Sequence, residues 1–207
     1  MLQRAFVSAA VVVSTCALAQ DGLKADRPEV KVGDAWTYER VNRDGSRLDV
    51  RHEIKAVAPD ALTVVVVDAA GTTEQQWTPE LNYVRGEGQR VLRPHQQYVS
   101  FPLTVGREWK VETKGISTSG REAKSDGACK VVTFEKVATK AGAFDAFKVE
   151  CNTEFTLYGR TPLFGRDRYL YWYAPALRGV VRAERLTRDA VSVFADWTQE
   201  LVATTVN

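Results

Sequence analysis

The sequence has few of the residues that usually carry catalysis or bind metals. Its 207 residues include two histidines, three cysteines and a single methionine, Met1. It contains no G-x-S-x-G, H-E-x-x-H, C-x-x-C, P-loop or dinucleotide-binding motif. Its acidic residues are scattered and do not form the close pairs that glycosidase chemistry uses. These absences predict a protein that is not an enzyme and that has no metal or cofactor.

An excess of charge of one sign is also missing. The 28 basic and 26 acidic residues leave a formal charge of +2, which gives no argument for a nucleic-acid partner. The chain is 44% hydrophobic and 26% charged, as in ordinary globular proteins. Residues 20–207 are predicted to form one domain, which is long enough to bury a sizeable core.

Long apolar runs are absent except at the N-terminus. Arg4 is the only charged residue among the first nineteen, and residues 5–19 are apolar or small. Ala17 and Ala19 form an A-x-A cleavage signal, so residues 1–19 are predicted to be a secretory signal peptide. We therefore expect a periplasmic chain that begins at Gln20 and has no transmembrane span.

Cys16 leaves a second possibility open for the same segment. Residues 13–16, Val-Ser-Thr-Cys, resemble a bacterial lipobox, in which the cysteine is lipidated and becomes the first residue. Thr15 fits this pattern poorly, because the position before the cysteine is normally Gly, Ala or Ser. Lipid anchoring through Cys16 is the weaker alternative to soluble export.

The other two cysteines lie in neighbouring predicted strands. Cys129 begins the strand 129–137, Cys151 ends the strand 147–151, and a turn near Lys140 separates them. A hairpin centred there places the two cysteines directly opposite each other, at a distance close to disulfide reach. Because export provides an oxidising compartment, we predict a structural Cys129–Cys151 disulfide.

Most of the remaining sequence has the pattern of β-strands. Residues 36–41, 47–57 and 62–67 are rich in β-branched and aromatic residues, and turn-forming residues separate them. His52 shares an apolar strand face, which favours a hydrogen-bonded core histidine over a catalytic base. Alternation also favours a strand for residues 190–205. Ten to twelve such strands predict an all-β fold, a strongly curved antiparallel sheet or open half-barrel.

Two patterns recur along the chain. Residues 32–39 and 105–112 share V-G-x-x-W-x-x-E, and residues 77–85 resemble residues 172–182. The recurrence has two explanations, two related meanders or a common strand-entry signature. The excess length of the second half includes the Gly- and Ser-rich residues 115–127, which we expect to form an unordered flap.

Aromatic residues are the strongest remaining signal for function. Tyr171 and Tyr173 alternate with Trp172, and further tryptophans lie in other strands. Such rings either line an apolar cavity with polar groups at its mouth or form the core of a methionine-poor β-protein. The candidate ligand-binding residues are Trp36, Trp77, Trp109, Tyr171, Trp172 and Tyr173.

Arginines are concentrated in the last quarter of the chain. They form either an anion-binding rim or a solvated face that blocks aggregation. The arginines concerned are Arg160, Arg166, Arg168, Arg178, Arg182, Arg185 and Arg188.

Three longer segments carry a resemblance to known proteins. Residues 102–109 (PLTVGREW), 141–150 (AGAFDAFKVE) and 171–184 (YWYAPALRGVVRAE) resemble a group of exported bacterial proteins of unknown function. That group is similar to the LolA/LolB-type fold, an open half-barrel over an apolar cavity that holds acyl chains. The resemblance implies a non-catalytic module for an apolar or amphipathic ligand, a hydrophobic small molecule or lipid. The alternative is a cell-envelope scaffold that binds another envelope protein.

Overall fold

The computed structural model describes residues 23–86 and 90–207. The predicted signal peptide, its cleavage site and Cys16 lie outside the described residues. The described residues form twelve strands, each named here by its bounds: β1 Ala35–Asn42, β2 Arg47–Val57, β3 Leu62–Asp68, β4 Gly71–Trp77, β5 Tyr83–Gly86, β6 Val91–Arg93, β7 Glu108–Ile116, β8 Glu122–Thr139, β9 Gly142–Leu157, β10 Leu163–Ala174, β11 Gly179–Arg188 and β12 Val193–Thr205. A single 3-10 turn, Pro175–Leu177, lies between β10 and β11.

The strands form one antiparallel sheet that closes into a barrel. Each strand pairs with the next along the chain, and β1 pairs with β12 from Ala35↔Thr205 to Asn42↔Trp197. The predicted all-β, curved antiparallel architecture is confirmed, and the sheet continues past a half-barrel until its two edges meet. The predicted C-terminal strand is also confirmed, as β12. No helix among the described residues has the length and apolarity needed to cross a bilayer.

The predicted disulfide is present in the β8–β9 hairpin. Cys129 and Cys151 are directly paired across the two strands, and both are buried. The turn lies between Thr139 and Gly142, slightly beyond the predicted centre. A register shift between Val131 and Thr133 compensates for that offset by one residue, so the cysteines still face each other.

Residues 115–127 do not form the expected flap. They end β7, turn at residues 117–121 and begin β8, with Ile116 paired to Glu122. A Cβ atom added at Gly127 would lie 2.1 Å from the Asn152 carbonyl oxygen. The glycine therefore allows close packing of two strands, and ladder hydrogen bonds order a segment whose side chains bury little.

The repeated V-G-x-x-W pattern has the same geometry in both places. Gly33 precedes β1 and Gly106 precedes β7, with left-handed φ values of 88° and 86°. Their N–H groups donate to the carbonyls of Ile54 and Val131, both at 2.9 Å. A register shift follows Ile54 in β2 and Val131 in β8. The β1–β2 and β7–β8 pairs therefore share the same glycine turn, the same first hydrogen bond and the same register shift.

The second recurrence also falls at equivalent turns. Leu81 joins β4 to β5 and Arg178 joins β10 to β11, and both adopt positive φ, 66° and 49°. A register shift accompanies each turn, between Gln76 and Trp77 and between Trp172 and Tyr173. The matches place β1–β2 in correspondence with β7–β8, and β4–β5 with β10–β11. We call β1–β6 the first meander and β7–β12 the second.

The connection between β6 and β7 fills one side of the barrel. We call residues 94–107 the plug segment. Its Tyr98 and Leu103 are buried together with Val131, Val149 and other inward-facing residues of β7–β10. The Tyr98 carbonyl accepts a 2.9 Å hydrogen bond from the Tyr171 hydroxyl. The plug segment therefore fills the part of the barrel interior that these residues of β7–β10 line.

Candidate functional site

The side of the barrel that the plug segment leaves unfilled contains a cavity of about 420 Å³. It lies against β1–β5 of the first meander, and its far wall is formed by β10–β12 and by residues of the plug segment. A volume of this size is within the range of small-molecule sites. Its apolar and aromatic lining includes Trp36, Tyr38, Val50, Val66, Trp77 and Tyr171.

Strand alternation explains how these side chains come together. In β1, Trp36, Tyr38 and Arg40 are two residues apart and therefore point to the same face. In β2, Val50 and His52 share a face in the same way, and pairing of Trp36 with His52 keeps both strands in register. Two short segments thus supply five of the lining residues.

The aromatic side chains of the cavity are held in place by hydrogen bonds. The Trp36 indole N–H donates to the Leu177 carbonyl at 3.0 Å, and the Tyr38 hydroxyl donates to the Val180 carbonyl at 3.0 Å. Both partners lie at the β10–β11 connection, far along the chain. Because their polar atoms are occupied, these residues present mainly ring surface to the cavity.

His52 lies edge-on between two rings of this wall. Its ring centroid is 5.5 Å from that of Tyr38 and 5.4 Å from that of Trp77. Burial, together with the smaller effect of the positive charge of Arg40, lowers the pKa of His52 to about 4. His52 is therefore neutral at neutral pH and adds to the aromatic wall.

Arg40 gives the cavity a cationic group with uncharged partners. Its Nε and Nη2 atoms both donate to the Gln199 side-chain oxygen, at 3.1 and 2.8 Å. Its guanidinium carbon lies 4.4 Å from the ring centroid of Trp197. Among the described residues Arg40 has no carboxylate within ion-pair distance, and burial lowers its pKa.

A second arginine lines the same cavity. The guanidinium of Arg90 lies 5.6 Å from the ring centroid of Tyr83 and forms no ion pair with any described residue. Burial lowers its pKa, and the charge of Arg185 adds to that effect. Asp68 is the one carboxylate in the lining, so Arg40 and Arg90 leave an excess of positive charge.

Arg185 differs because its charge is compensated. Its Nε and Nη2 atoms donate to the two carboxylate oxygens of Asp167, at 3.0 and 2.8 Å. Tyr98 and Thr187 donate to the same carboxylate, at 2.7 and 2.6 Å. Burial alone raises the pKa of Asp167, but Arg185 and these hydrogen bonds outweigh it, and the net pKa is lowered. This pair supports the cavity wall.

A second cavity of about 630 Å³ adjoins the first. Arg90, Gln96, Tyr98 and Arg185 border both cavities. The second cavity lies toward the barrel end that carries the β7–β8, β9–β10 and β11–β12 turns. Its apolar lining includes Leu92, Ile116, Ala123, Phe155, Leu157 and Phe194.

The six aromatic residues singled out in the sequence separate into two groups. Trp36, Trp77 and Tyr171 line the 420 Å³ cavity. Tyr173 instead packs edge-on against Phe101 of the plug segment, with ring centroids 5.2 Å apart.

The remaining two candidates also lie away from the cavity. The Trp109 indole N–H donates to the plug carbonyl of Gln97 at 2.9 Å. Trp172 alternates with Tyr171 and faces the other way, where its N–H donates to Glu135 at 2.6 Å. Lys148 and Arg182 lie against the Trp172 ring.

The sequence interpretation did not identify Tyr38, Arg40 and Arg90 as site residues. A signal for the first two was present, since both share the face of Trp36 in one strand. Arg90 carries no such signal, because its place depends on how residues 90–98 cross the barrel interior. The described residues contain no cluster of three or more His, Cys, Asp or Glu side chains suited to a metal ion.

Comparison with known proteins relates the chain to solved folds. No protein-family model and no curated protein matches it. A presumptive exported protein with a YmcC-like fold, from Bacteroides fragilis, has a TM-score of 0.53 at 18% identity and covers 87% of this chain and 99% of its own. A presumptive lipoprotein from Parabacteroides distasonis has a TM-score of 0.49 at 14% identity, covering 87% and 99%. The hypothetical lipoprotein YmcC from Escherichia coli has a TM-score of 0.47 at 10% identity, and the match covers 84% of this chain and 86% of YmcC.

The similarity to the Bacteroides fragilis protein shows the fold alone, because a sequence identity of 18% is too low to support an inference about function. The chain is therefore similar to a YmcC-like barrel. The resemblance to the LolA/LolB-type half-barrel is not confirmed by these matches.

Proposed function

We propose that the protein is an exported, non-catalytic module that binds an amphipathic small molecule inside its barrel. The observation that carries the proposal is the 420 Å³ cavity, which is enclosed by β1–β5, β10–β12 and the plug segment and lined largely by aromatic side chains. Export rests on the secretory pattern of residues 1–19.

The lining favours an amphipathic ligand over a purely apolar one. One wall presents the rings of Trp36, Tyr38 and Trp77, whose polar atoms are already hydrogen-bonded. Arg40 and Arg90 present guanidinium groups with no carboxylate partner among the described residues. A carboxylate, sulfate or phosphate group on the ligand would compensate that charge.

The same lining gives no support to catalysis. His52 is the only described imidazole in the cavity, and its neighbours are the rings of Tyr38 and Trp77. The Asp167 carboxylate is occupied by Arg185, Tyr98 and Thr187. Binding and orientation are therefore the chemistry that these groups support.

Paired fluorescent probes test the proposal on the chain that begins at Gln20. Anilinonaphthalene sulfonate is an amphipathic anion, and Nile red is an uncharged apolar dye. Both should bind, and Val66→Phe should weaken both because Val66 lines the cavity. Val132→Phe is the matched control, since Val132 is exposed on the barrel exterior.

Arginine variants separate the amphipathic ligand from an apolar one. Arg40→Gln should reduce the affinity for the sulfonate about tenfold, the loss of one charge-assisted contact, and leave Nile red unchanged. Equal affinities of wild type, Val66→Phe and Val132→Phe for both probes would refute binding inside the barrel. Mass spectrometry of the purified, unextracted protein then identifies any ligand acquired in the cell.

A further inference from the structure

Three neighbouring hairpin turns at one end of the barrel expose apolar side chains. These turns connect β7 to β8, β9 to β10 and β11 to β12, and the exposed residues include Phe164 at 68% and Val191 at 91%. Exposed loop tips are ordinarily polar, and a group of apolar side chains at such a place marks an interaction surface. We call the following residues the apolar rim: Ile116, Tyr158, Phe164, Val191, Val193 and Phe194.

Hydrogen bonds order the turns that carry the apolar rim. Arg121 of the β7–β8 turn donates to three carbonyls of the β9–β10 connection, those of Leu157, Tyr158 and Thr161, at 2.8 to 2.9 Å. In the third turn, Asp189 accepts from the backbone N–H groups of Val191 and Ser192, at 2.7 and 2.6 Å. The rim is therefore a formed surface that needs no ordering on contact.

The charge around the rim is mainly positive. Residues 114–124, 157–166 and 188–194 contain six lysines and arginines but only two acidic residues. Two of the cations pair with exposed carboxylates, Lys124 with Asp126 of its own strand and Arg166 with Glu154 of the neighbouring strand. The other four lie in the same turns and strand ends as the apolar side chains and form no ion pair among the described residues.

We propose that the apolar rim docks the protein onto a lipid surface that contains anionic lipids. Apolar side chains that enter the interface between headgroups and acyl chains, with cations beside them to contact phosphates, are the combination that peripheral membrane proteins use. Rings such as those of Tyr158 and Phe164 suit that depth. The 630 Å³ cavity shares Ile116 and Phe194 with the rim, so it would open toward the docked surface.

Charge and topology disfavour the other occupants. Two copies facing each other through the rim would bring like charges together, which opposes a dimer at this surface. A peptide that adds a strand needs an open sheet edge, and the described strands close into a barrel without one. Docking on a lipid surface requires neither a groove nor an open sheet edge. It requires exposed apolar and cationic side chains at the same end of the barrel.

Vesicle co-sedimentation tests the proposal. The chain from Gln20 is mixed with vesicles of phosphatidylcholine alone or with added phosphatidylglycerol, at low and high salt. We expect binding to the anionic vesicles, weakened by salt, because exposed charges are screened. The double variant Phe164→Ser/Val191→Ser should bind at least about tenfold more weakly, since both side chains lose apolar burial in the interface.

The matched control is Val32→Ser/Val57→Ser. Both valines are exposed, at 60% and 48%, but lie at the other end of the barrel. This variant should bind vesicles as the wild type does. Equal vesicle binding by the wild type and the rim variant would overturn the proposal, as would absence of binding to anionic vesicles. A dimer that dissociates only in the rim variant would likewise overturn it in favour of self-association.

The vesicle-binding test of the apolar rim does not depend on whether a ligand binds inside the barrel. The rim variant should bind anilinonaphthalene sulfonate with unchanged affinity, which also shows that it is folded. Failure of the cavity proposal would appear in the Val66→Phe and Arg40→Gln variants, and failure of docking would appear only with vesicles.

Discussion

At the scale of single residues, His52 illustrates how the barrel interior changes a side chain's chemistry. In an unfolded chain its imidazole is half protonated near pH 6.5. Inside the barrel, burial between Tyr38 and Trp77 and the nearby Arg40 lower that pKa to about 4. The folded protein therefore holds His52 in the neutral form over a pH range in which the unfolded chain takes up a proton.

This difference predicts a pH-dependent loss of stability. Between about pH 6.5 and pH 4 the unfolded state binds more protons at His52, so the free energy of unfolding falls as the pH falls through that window. The His52 contribution to this fall should reach about 2 kcal/mol between pH 7 and pH 4.5, from the linkage of the two pKa values. Urea unfolding of wild type and His52→Leu at both pH values measures it.

His52→Leu is compared with the wild type because other groups titrate in the same range. Asp167, whose pKa is lowered in the fold, also loses stabilisation as it is protonated at low pH. That loss is common to both proteins and cancels in the difference. An identical fall in both proteins would show that His52 has no shifted pKa.

At the scale of elements, the β8–β9 hairpin is the longest in the barrel, and it contacts both the plug segment and the β1–β12 pair. Its inner residues Cys129 and Cys151 lie in the core beside the plug segment. Its tip reaches across the molecule, where the Ala141 N–H donates to the Leu201 carbonyl at 3.1 Å and Lys140 pairs with Glu39. The hairpin thus connects the plugged side of the barrel to the seam between β1 and β12.

The disulfide should stabilise this hairpin and leave the cavity unaffected. Cys129→Ala/Cys151→Ala should lower the free energy of unfolding by up to about 3 kcal/mol, the loop-closure value for a loop of this size. Probe affinity should stay the same, because neither cysteine lines the 420 Å³ cavity. Denaturant titration and probe binding measure the two properties. Two free thiols in unfolded, unreduced wild type would contradict the bridge itself.

At the scale of the whole molecule, closure of the barrel decides whether the chain has exposed sheet edges. Pairing of β1 with β12 removes both edges, and Asp34 reinforces that seam. Its carboxylate accepts from the backbone N–H groups of Lys31 and Asn207, at 2.8 and 2.9 Å, and from Arg178. The segment that precedes β1 and the segment that follows β12 are thereby held together.

Removal of the last strand should therefore cause aggregation. A chain that ends at Arg188 lacks β12 and leaves β1 and β11 as unpaired edges, which are templates for association with other chains. Size-exclusion chromatography should show large oligomers in place of the discrete species that the full chain forms. A synthetic peptide of residues 189–207 should restore that species by adding the missing strand. A truncated chain that stays folded and at monomer size would contradict the role assigned to closure.

Local sequence patterns were sufficient for the strands and the disulfide. Alternation and turn residues predict strands because side chains within a strand alternate faces whatever the rest of the fold does. The pairing of Cys129 with Cys151 depends only on one hairpin, although the bulge near Val132 was needed to correct its register. The prediction of an unordered flap at residues 115–127 was wrong because backbone hydrogen bonds between β7 and β8 order this segment, although its side chains bury little.

The sequence by itself determined an all-β chain, most of its strands and the disulfide, because those depend on neighbours a few residues apart or on a single hairpin. Only the tertiary structure decided that the sheet closes, that the plug segment packs against β7–β10 and that the 420 Å³ cavity remains beside it. These outcomes depend on contacts between distant segments, such as Trp36 with Leu177 and Tyr98 with Asp167. For the same reason the sequence could name Trp36 as a ring in a strand, while its place beside Arg40 and Arg90 in a cavity required the closed barrel.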